Sequence, residues 1–160
     1  MPNKPHSCSG CALETLGRGF TAPEGNGYSK LLILGEASGD NEFRDGLPFR
    51  PYAQAGSILE RLILGMRKTR SDFVITNCVR CQPPGNLLEN TSYEWKAINH
   101  CKSNLDAVIA EYQPKAILAL GNVPLKVLSG LSGKKKSVTS LRGYVLEAKA
   151  YGLPMIATYH

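Results

Sequence analysis

The stretch Leu31-Leu32-Ile33-Leu34-Gly35-Glu36-Ala37-Ser38-Gly39-Asp40 sets four consecutive aliphatic residues before a glycine and a small, polar sequel. A short, continuous apolar run of this kind reads as a strand buried on both faces that feeds a loop at its carboxyl end. Other runs repeat the pattern. Phe73, Val74, Ile75 and Thr76 form a β-branched and aromatic cluster within 72–77, and Ala116–Leu120 is stopped by Gly121. Residues 143–150 and 153–159 read as two further strands.

Helical spacing fills the gaps. Ile58, Leu59, Leu62, Ile63 and Met66 lie on one helical face, and a long helix runs from Trp95 through Ile98, Leu105, Val108 and Ile109 to Tyr112, closed by Pro114. Thr91 and Glu94 have the spacing of a capping box for it. Asn122 is placed to cap a shorter helix, with Pro124 in its first turn and Gly130 beyond its end. Strands alternating with helices predict an α/β domain: three α/β/α layers around a mostly parallel central sheet covered on both faces. Working loops are then expected just after Leu34, Ile75, Leu120 and Thr158, at the carboxyl edge.

At 160 residues the chain has room for one core. Its 42% hydrophobic and 20% charged content excludes a disordered, collagenous or coiled-coil chain. No apolar run approaches the roughly 20 residues of a membrane span, and residues 1–7 lack the apolar centre of a secretory signal. A soluble, cytoplasmic protein is expected, nucleoid-associated if prokaryotic, and its five cysteines are then read as metal ligands before disulfides. A net charge of +6 favours a polyanionic partner. Lys134, Lys135 and Lys136, with Arg142 close behind, form one basic cluster and Arg67, Lys68 and Arg70 a second; solvated loops are the plain reading of both.

Residues 1–29 carry Gly and Pro throughout and few apolar residues, so they need an external tie. Cys8 and Cys11 form a CxxC inside that segment, Cys78 and Cys81 a second just past the second strand, and Cys101 lies in the long helix. Zinc ribbons set their pairs roughly 15 to 20 residues apart, whereas a strand-helix-strand unit separates these two. Zinc is the runner-up. Taking Cys8, Cys11, Cys81 and Cys101 as the four pins the N-terminus and a mid-chain loop onto a helix and suits an iron–sulfur cubane, leaving Cys78 as a small core residue. Five unrelated buried thiols are the remaining reading.

Gly35 to Glu42 is a Gly-rich turn after a strand, followed by Asp45-Gly46-Leu47-Pro48-Phe49. Asn77 ends the second strand, Cys81-Gln82-Pro83-Pro84-Gly85-Asn86 follows it, and Thr158-Tyr159-His160 ends the last. Taken together these motifs resemble the uracil-DNA glycosylases, specifically the iron–sulfur family 4 type. Gly35 to Phe49 is similar to that family's Gly-Glu-Ala/Gly-Pro-Gly, acidic, Gly-x-Pro-Phe motif, with Ser38 for proline. Thr76 to Asn86 is similar to its Thr-Asn and basic-Cys-Arg-Pro-Pro-x-Asn run, with Gln82 for Arg. The strand at 117–121, the Leu141-Arg142-Gly143 step, His160 and the order of the four cysteines also have counterparts, so the likeness spans Cys8 to His160. Departures are the intervening Arg50-Pro51-Tyr52-Ala53-Gln54, which alters the pocket rim, and Leu87 where a basic residue is common. The family continues past His-Pro-Ser into a helix and this chain stops at His160, so a single domain over 1–160 lacking the usual C-terminal segment is expected.

The resemblance implies hydrolysis of the N-glycosidic bond of deoxyuridine in DNA, with base flipping, release of uracil and an abasic product. It implies a 4Fe-4S cluster on Cys8, Cys11, Cys81 and Cys101, uracil-containing DNA as partner, no membrane and a monomer. Phe49 resembles the aromatic platform for the flipped base, Asn77 reads its edge, and Gly35, Ala37 and Ser38 line its site. His160 meets uracil O2 as anionic charge develops. Glu36, Glu42 and Asn86 are the acceptors for water attack at the sugar, with Asn86 and Glu42 orienting water and Glu36 bracing the loop. Lys134 to Lys136 and Arg142 contact phosphates. Two alternatives stand beside this: a non-catalytic or altered-specificity nucleic-acid-binding module on the same scaffold, and a zinc protein of unrelated function.

Overall fold

The computed structural model describes residues 4–131 and 136–160. Its centre is a five-stranded sheet of β1 (Leu31–Ala37), β2 (Val74–Val79), β3 (Ala116–Leu120), β4 (Val145–Ala148) and β5 (Leu153–Thr158), in the order β2-β1-β3-β5-β4. The first four of these neighbours pair in parallel, and β4 closes one edge antiparallel to β5. The helices are α1 (Asp40–Asp45), α2 (Gln54–Gly65), α3 (Glu94–Tyr112), α4 (Asn122–Ser129) and α5 (Val138–Leu141).

Because side chains alternate along a strand, each face of β1 feeds a different core. Leu32 and Leu34 join Ala97, Ile98, Leu105 and Val108 of α3 and Val123, Leu125 and Leu128 of α4. Ile33 instead packs with Ile75, Phe49, Phe73 and the Leu59 and Ile63 face of α2. The α/β class and mostly parallel sheet follow the sequence reading, with one difference in extent. The α2 layer packs on Ile33, Ile75 and Leu120 of β1, β2 and β3, with Leu31 and Leu118 at its margin, and beyond it Val145, Pro154 and Ile156 line an open apolar cleft.

Two expected caps take other roles. Thr91 Oγ1 donates to the Leu88 carbonyl (2.7 Å), while the Glu94 carboxylate accepts the Asn90 N–H (2.6 Å), so α3 opens at Glu94 without the Thr91 cap. Gly121 holds the N-cap position of α4, and Asn122 Oδ1 accepts the Val138 N–H (3.0 Å), tying α5 to α4.

The N-terminal segment is tied as its composition demands. It runs beside β2 with backbone bonds from Arg18 to Gln82, Thr21 to Arg80 and Glu24 to Ile75, satisfying an edge that would otherwise offer unpaired groups. Lys4 Nζ donates to the carbonyls of Leu13, Glu14 and Gly17 at 2.6–2.7 Å. Arg70 differs from the solvated loop residue expected of it. It is enclosed between Glu24 (2.6 Å) and Glu60 (3.5 Å) and donates to the Pro48 carbonyl (2.9 Å), while Arg67 and Lys68 stay exposed.

Candidate functional site

The chain leaves β1 for β2 on one side and later returns to place β3 on the other, so a crevice opens at the carboxyl ends where the order reverses. The turn and α1 after β1, the start of α2 and His160 beyond β5 meet there, with Asn77 of β2 buried alongside and bonded to Glu42. The resulting cleft has a volume of about 90 Å³ and is lined by Gly39, Asp40, Glu42, Phe49, Arg50, Gly56 and His160.

Phe49 is 4% exposed and sits at φ +46°, a backbone conformation that a bulky side chain rarely adopts. Its surroundings enforce that strain. Its N–H donates to Glu42 Oε1, and Arg70 holds the preceding Pro48 carbonyl. On the strand beneath, a Cβ at Gly35 would collide with both the Phe49 ring and Asn77 Oδ1, so only glycine leaves room for them. The His160 ring stands 5.7 Å from the Phe49 ring, tilted by 52°. Gly121, at φ +104°, passes close beneath His160, where a Cβ would approach the His160 Cβ to 3.2 Å.

Contrary to expectation, Asn77 does not end the second strand, since pairing with β1 carries β2 on to Val79; it lies within β2 opposite Gly35 of β1 and is 1% exposed. Its Nδ2 donates to Glu42 Oε1 (3.3 Å), whereas its Oδ1 is buried without a hydrogen-bond partner among the described residues. An orphaned buried acceptor beside an aromatic ring is costly unless a ligand completes it. Partial desolvation of the His160 ring pushes its pKa below the ordinary 6.5, against the opposing pull of the Glu42 charge. The imidazole is therefore neutral near pH 7, and one ring nitrogen carries a proton to donate.

The remaining expected site residues divide. Glu42 lies in the cleft, yet both its oxygens are engaged, Oε1 by Phe49 and Asn77 and Oε2 by the Gly39 N–H (2.5 Å). Asn86 reaches the rim through a network in which Gln82 Nε2 donates to Asn86 Oδ1 and to Asp40 Oδ1, both at 2.6 Å. Asn86 also carries a positive φ of 58°. Glu36 points elsewhere: it shares the α3 and α4 side of the sheet with Glu89, Glu94 and Lys126, and burial there raises its pKa. Ser38 is buried and its hydroxyl pairs with Thr21 Oγ1 (2.9 Å), while Ala37 packs against the core that holds Cys78 and Val79.

Asp40 is the residue the sequence reading missed. The Gln82 hydrogen bond, then that of Asn86 and the charges of Arg18 and Arg44, keep its carboxyl below the ordinary range. Its signal was available in the substitution of Gln82 for the family's arginine, which supplies an amide donor that reaches back to the first loop.

Cys8, Cys11, Cys81 and Cys101 line one cavity together with Leu13, Phe20, Val79 and His100. Cys78, 3% exposed, shares the main core with Cys81 and Cys101 but does not line that cavity. Among the described residues no three Cys, His, Asp or Glu side chains converge closely enough to hold a single metal ion. A zinc ion needs its sulfurs all about 2.3 Å from one point, whereas a cubane spreads four thiolates over four irons, so donors spaced around a cavity fit the larger group. The Leu13 N–H lies 3.4 Å from Cys11 Sγ and Asn104 Nδ2 3.5 Å from Cys101 Sγ, hydrogen bonds of the kind that stabilise ligating sulfur. Burial pushes the Cys81 thiol up to about 12 and raises Cys8 and Cys101, so thiolates form there only with a compensating cation.

Of the basic residues, Lys136 and Arg142 are exposed, and Arg142 packs over the Tyr159 ring (5.1 Å), next to His160. Lys134 and Lys135 lie outside the described residues. No helix among the described residues is long and apolar enough to cross a membrane.

Comparison with known proteins adds to this geometry. Residues 22–160 match the family described as the Uracil DNA glycosylase superfamily. The type-4 uracil-DNA glycosylase of Sulfurisphaera tokodaii is 33% identical over 96% of this chain and 69% of its own length. That of Saccharolobus solfataricus is 33% identical over 100% of this chain and 73% of its own length, and that of Thermotoga maritima 33% over 96% and 75%.

Proposed function

The chain belongs to the uracil-DNA glycosylase superfamily, and from that premise we propose that it releases uracil from DNA by hydrolysing the N-glycosidic bond of a flipped deoxyuridine. The observation that carries the proposal is that Phe49 and His160 share one cleft with Glu42, and that Glu42 is bonded to the buried Asn77 beside them. Flipping costs a few kcal/mol, and stacking on Phe49 returns about 1 to 3 kcal/mol of it.

Asn77 Oδ1 accepts the uracil N3–H and so completes the orphaned acceptor. As the bond from C1′ to N1 breaks, its electron pair leaves with uracil and the negative charge spreads to O2, where the neutral His160 donates. A donor placed at developing charge is worth about 3 to 4 kcal/mol. Water adds to C1′, and the proton it gives up ends on the departed uracil anion, so that the products are neutral uracil and the abasic sugar. Asn86, held by Gln82 and Asp40, orients that water. With both its oxygens engaged by protein donors, Glu42 acts on the pocket wall; Glu36, on the opposite face, braces the loop that carries Glu89.

A 4Fe-4S cluster bound by Cys8, Cys11, Cys81 and Cys101 would supply cohesion between the N-terminal segment, the loop after β2 and α3. Those four thiols, the N–H donors to two of them and the nearby Arg80 charge fit its needs. Arg142 and Lys136 contact the DNA phosphates, which position the strand without reading it. Incubation with a single-stranded deoxyuridine oligonucleotide, followed by alkaline strand cleavage, tests the proposal. Cleavage at the deoxyuridine is expected; tight binding without cleavage favours a non-catalytic module.

A further inference from the structure

We propose that Glu42 is the positioning residue that fixes the orientation of the Asn77 carboxamide, and through it the choice between uracil and cytosine. The inference rests on the base-pocket reading above and assigns specificity to a residue that does not touch the base.

A carboxylate only accepts hydrogen bonds. Glu42 Oε1 accepts from the Phe49 backbone and from Asn77 Nδ2, and Oε2 accepts from the Gly39 backbone. The two backbone donors lie at the start of α1 and at a turn that Arg70 clamps through the Pro48 carbonyl, so the carboxylate cannot swing away. The Asn77 amino group must therefore face Glu42. Rotating the amide by half a turn would set Oδ1 against Oε1, two acceptors in contact, and forfeit a charge-assisted bond.

With the amino group so held, Oδ1 lies buried and unpartnered beside the Phe49 ring, and a base stacked on that ring would meet Oδ1 and the second N–H. Acceptor next to donor complements N3–H and O4 of uracil. Cytosine offers the inverse, an unprotonated N3 and an amino group, and pairs only with the rotated amide. Reading cytosine thus requires breaking the contact between Glu42 and Asn77, and a site that leaves buried polar groups unpaired rejects the wrong ligand strongly.

The test is titration calorimetry of free uracil and free cytosine against the iron-loaded wild-type protein and Glu42→Gln, with melting curves for both proteins. A glutamine can turn its amino group towards Asn77 and favour the rotated amide. Wild-type protein is expected to prefer uracil, and that preference should fall about tenfold or more in the variant. A folded variant with the wild-type ratio overturns the inference and leaves the pocket reading standing. Wild-type protein that binds neither base overturns the pocket reading, and the inference falls with it. Should the variant fail to fold, side-chain amide exchange in wild-type protein decides the matter. Slowly exchanging Asn77 amino protons, assigned by their loss in Asn77→Asp, support the contact, and freely exchanging ones overturn it.

Discussion

The rings of Phe49 and His160 stand 5.7 Å apart at a 52° tilt, although one follows β1 and the other ends the chain after β5. The parallel registers of β1 with β3 and of β3 with β5 bring this about, because Leu34 lies opposite Ala119 and Leu120 opposite Thr158, so the residues after β1 and β5 emerge at one edge. A face from one ring and an edge from the other bound a slot suited to a planar heterocycle.

Phe49→Leu keeps much of the buried volume and removes the aromatic face. Affinity for free uracil, measured by calorimetry, should fall about 5-fold to 100-fold, the range that base stacking covers. Unchanged affinity would place the base elsewhere.

Cys101→Ala and Cys78→Ala separate ligand from core. The first should lose bound iron and its visible absorbance, since α3 then offers no thiolate to the cavity. The second should keep its iron and lose about 1 to 2 kcal/mol of stability from the packing around Cys78. Iron assays with the opposite pattern would exchange the two residues' roles.

Glu36→Gln should stabilise the protein at neutral pH while excision continues. Burial and the neighbouring Glu89 raise the Glu36 pKa above its ordinary 4.5. As pH rises through that value the unfolded chain releases its proton first, so stability is lost until the folded value is passed, and the loss persists above it. Removing the charge should raise the melting temperature at pH 7 by about 1 to 3 °C, with the gain vanishing below pH 4.5. A variant that loses excision with an unaltered melting temperature would return Glu36 to the chemistry.

Much of this was legible because continuous apolar runs specify buried parallel strands, and such strands place their following loops at one edge. The runs at β1, β2, β3 and β5 pointed in this way to the sheet and to the nearness of Phe49 and His160 at one edge, with Asn77 beside them. The gathering of Cys8, Cys11, Cys81 and Cys101 at one cavity was legible from their CxxC spacing together with the need of residues 1–29 for a tie. Direction was not. Glu36 and Glu42 stand in one motif, yet strand alternation turns Glu36 to the α3 side while α1 returns Glu42 to the cleft. The burial of Arg70 between Glu24 and Glu60 was equally hidden, since three basic residues close together carry no sign that Glu24, 46 residues earlier, and Glu60 close over one of them.

Single-turnover uracil release by wild-type protein and by His160→Ala tests most directly whether the cleft stabilises a departing uracil anion. The expected result is release by the wild-type chain and a rate about 100-fold to 1,000-fold lower in the variant, with DNA affinity retained. Equal rates in the two proteins would contradict the assignment of the cleft to this reaction.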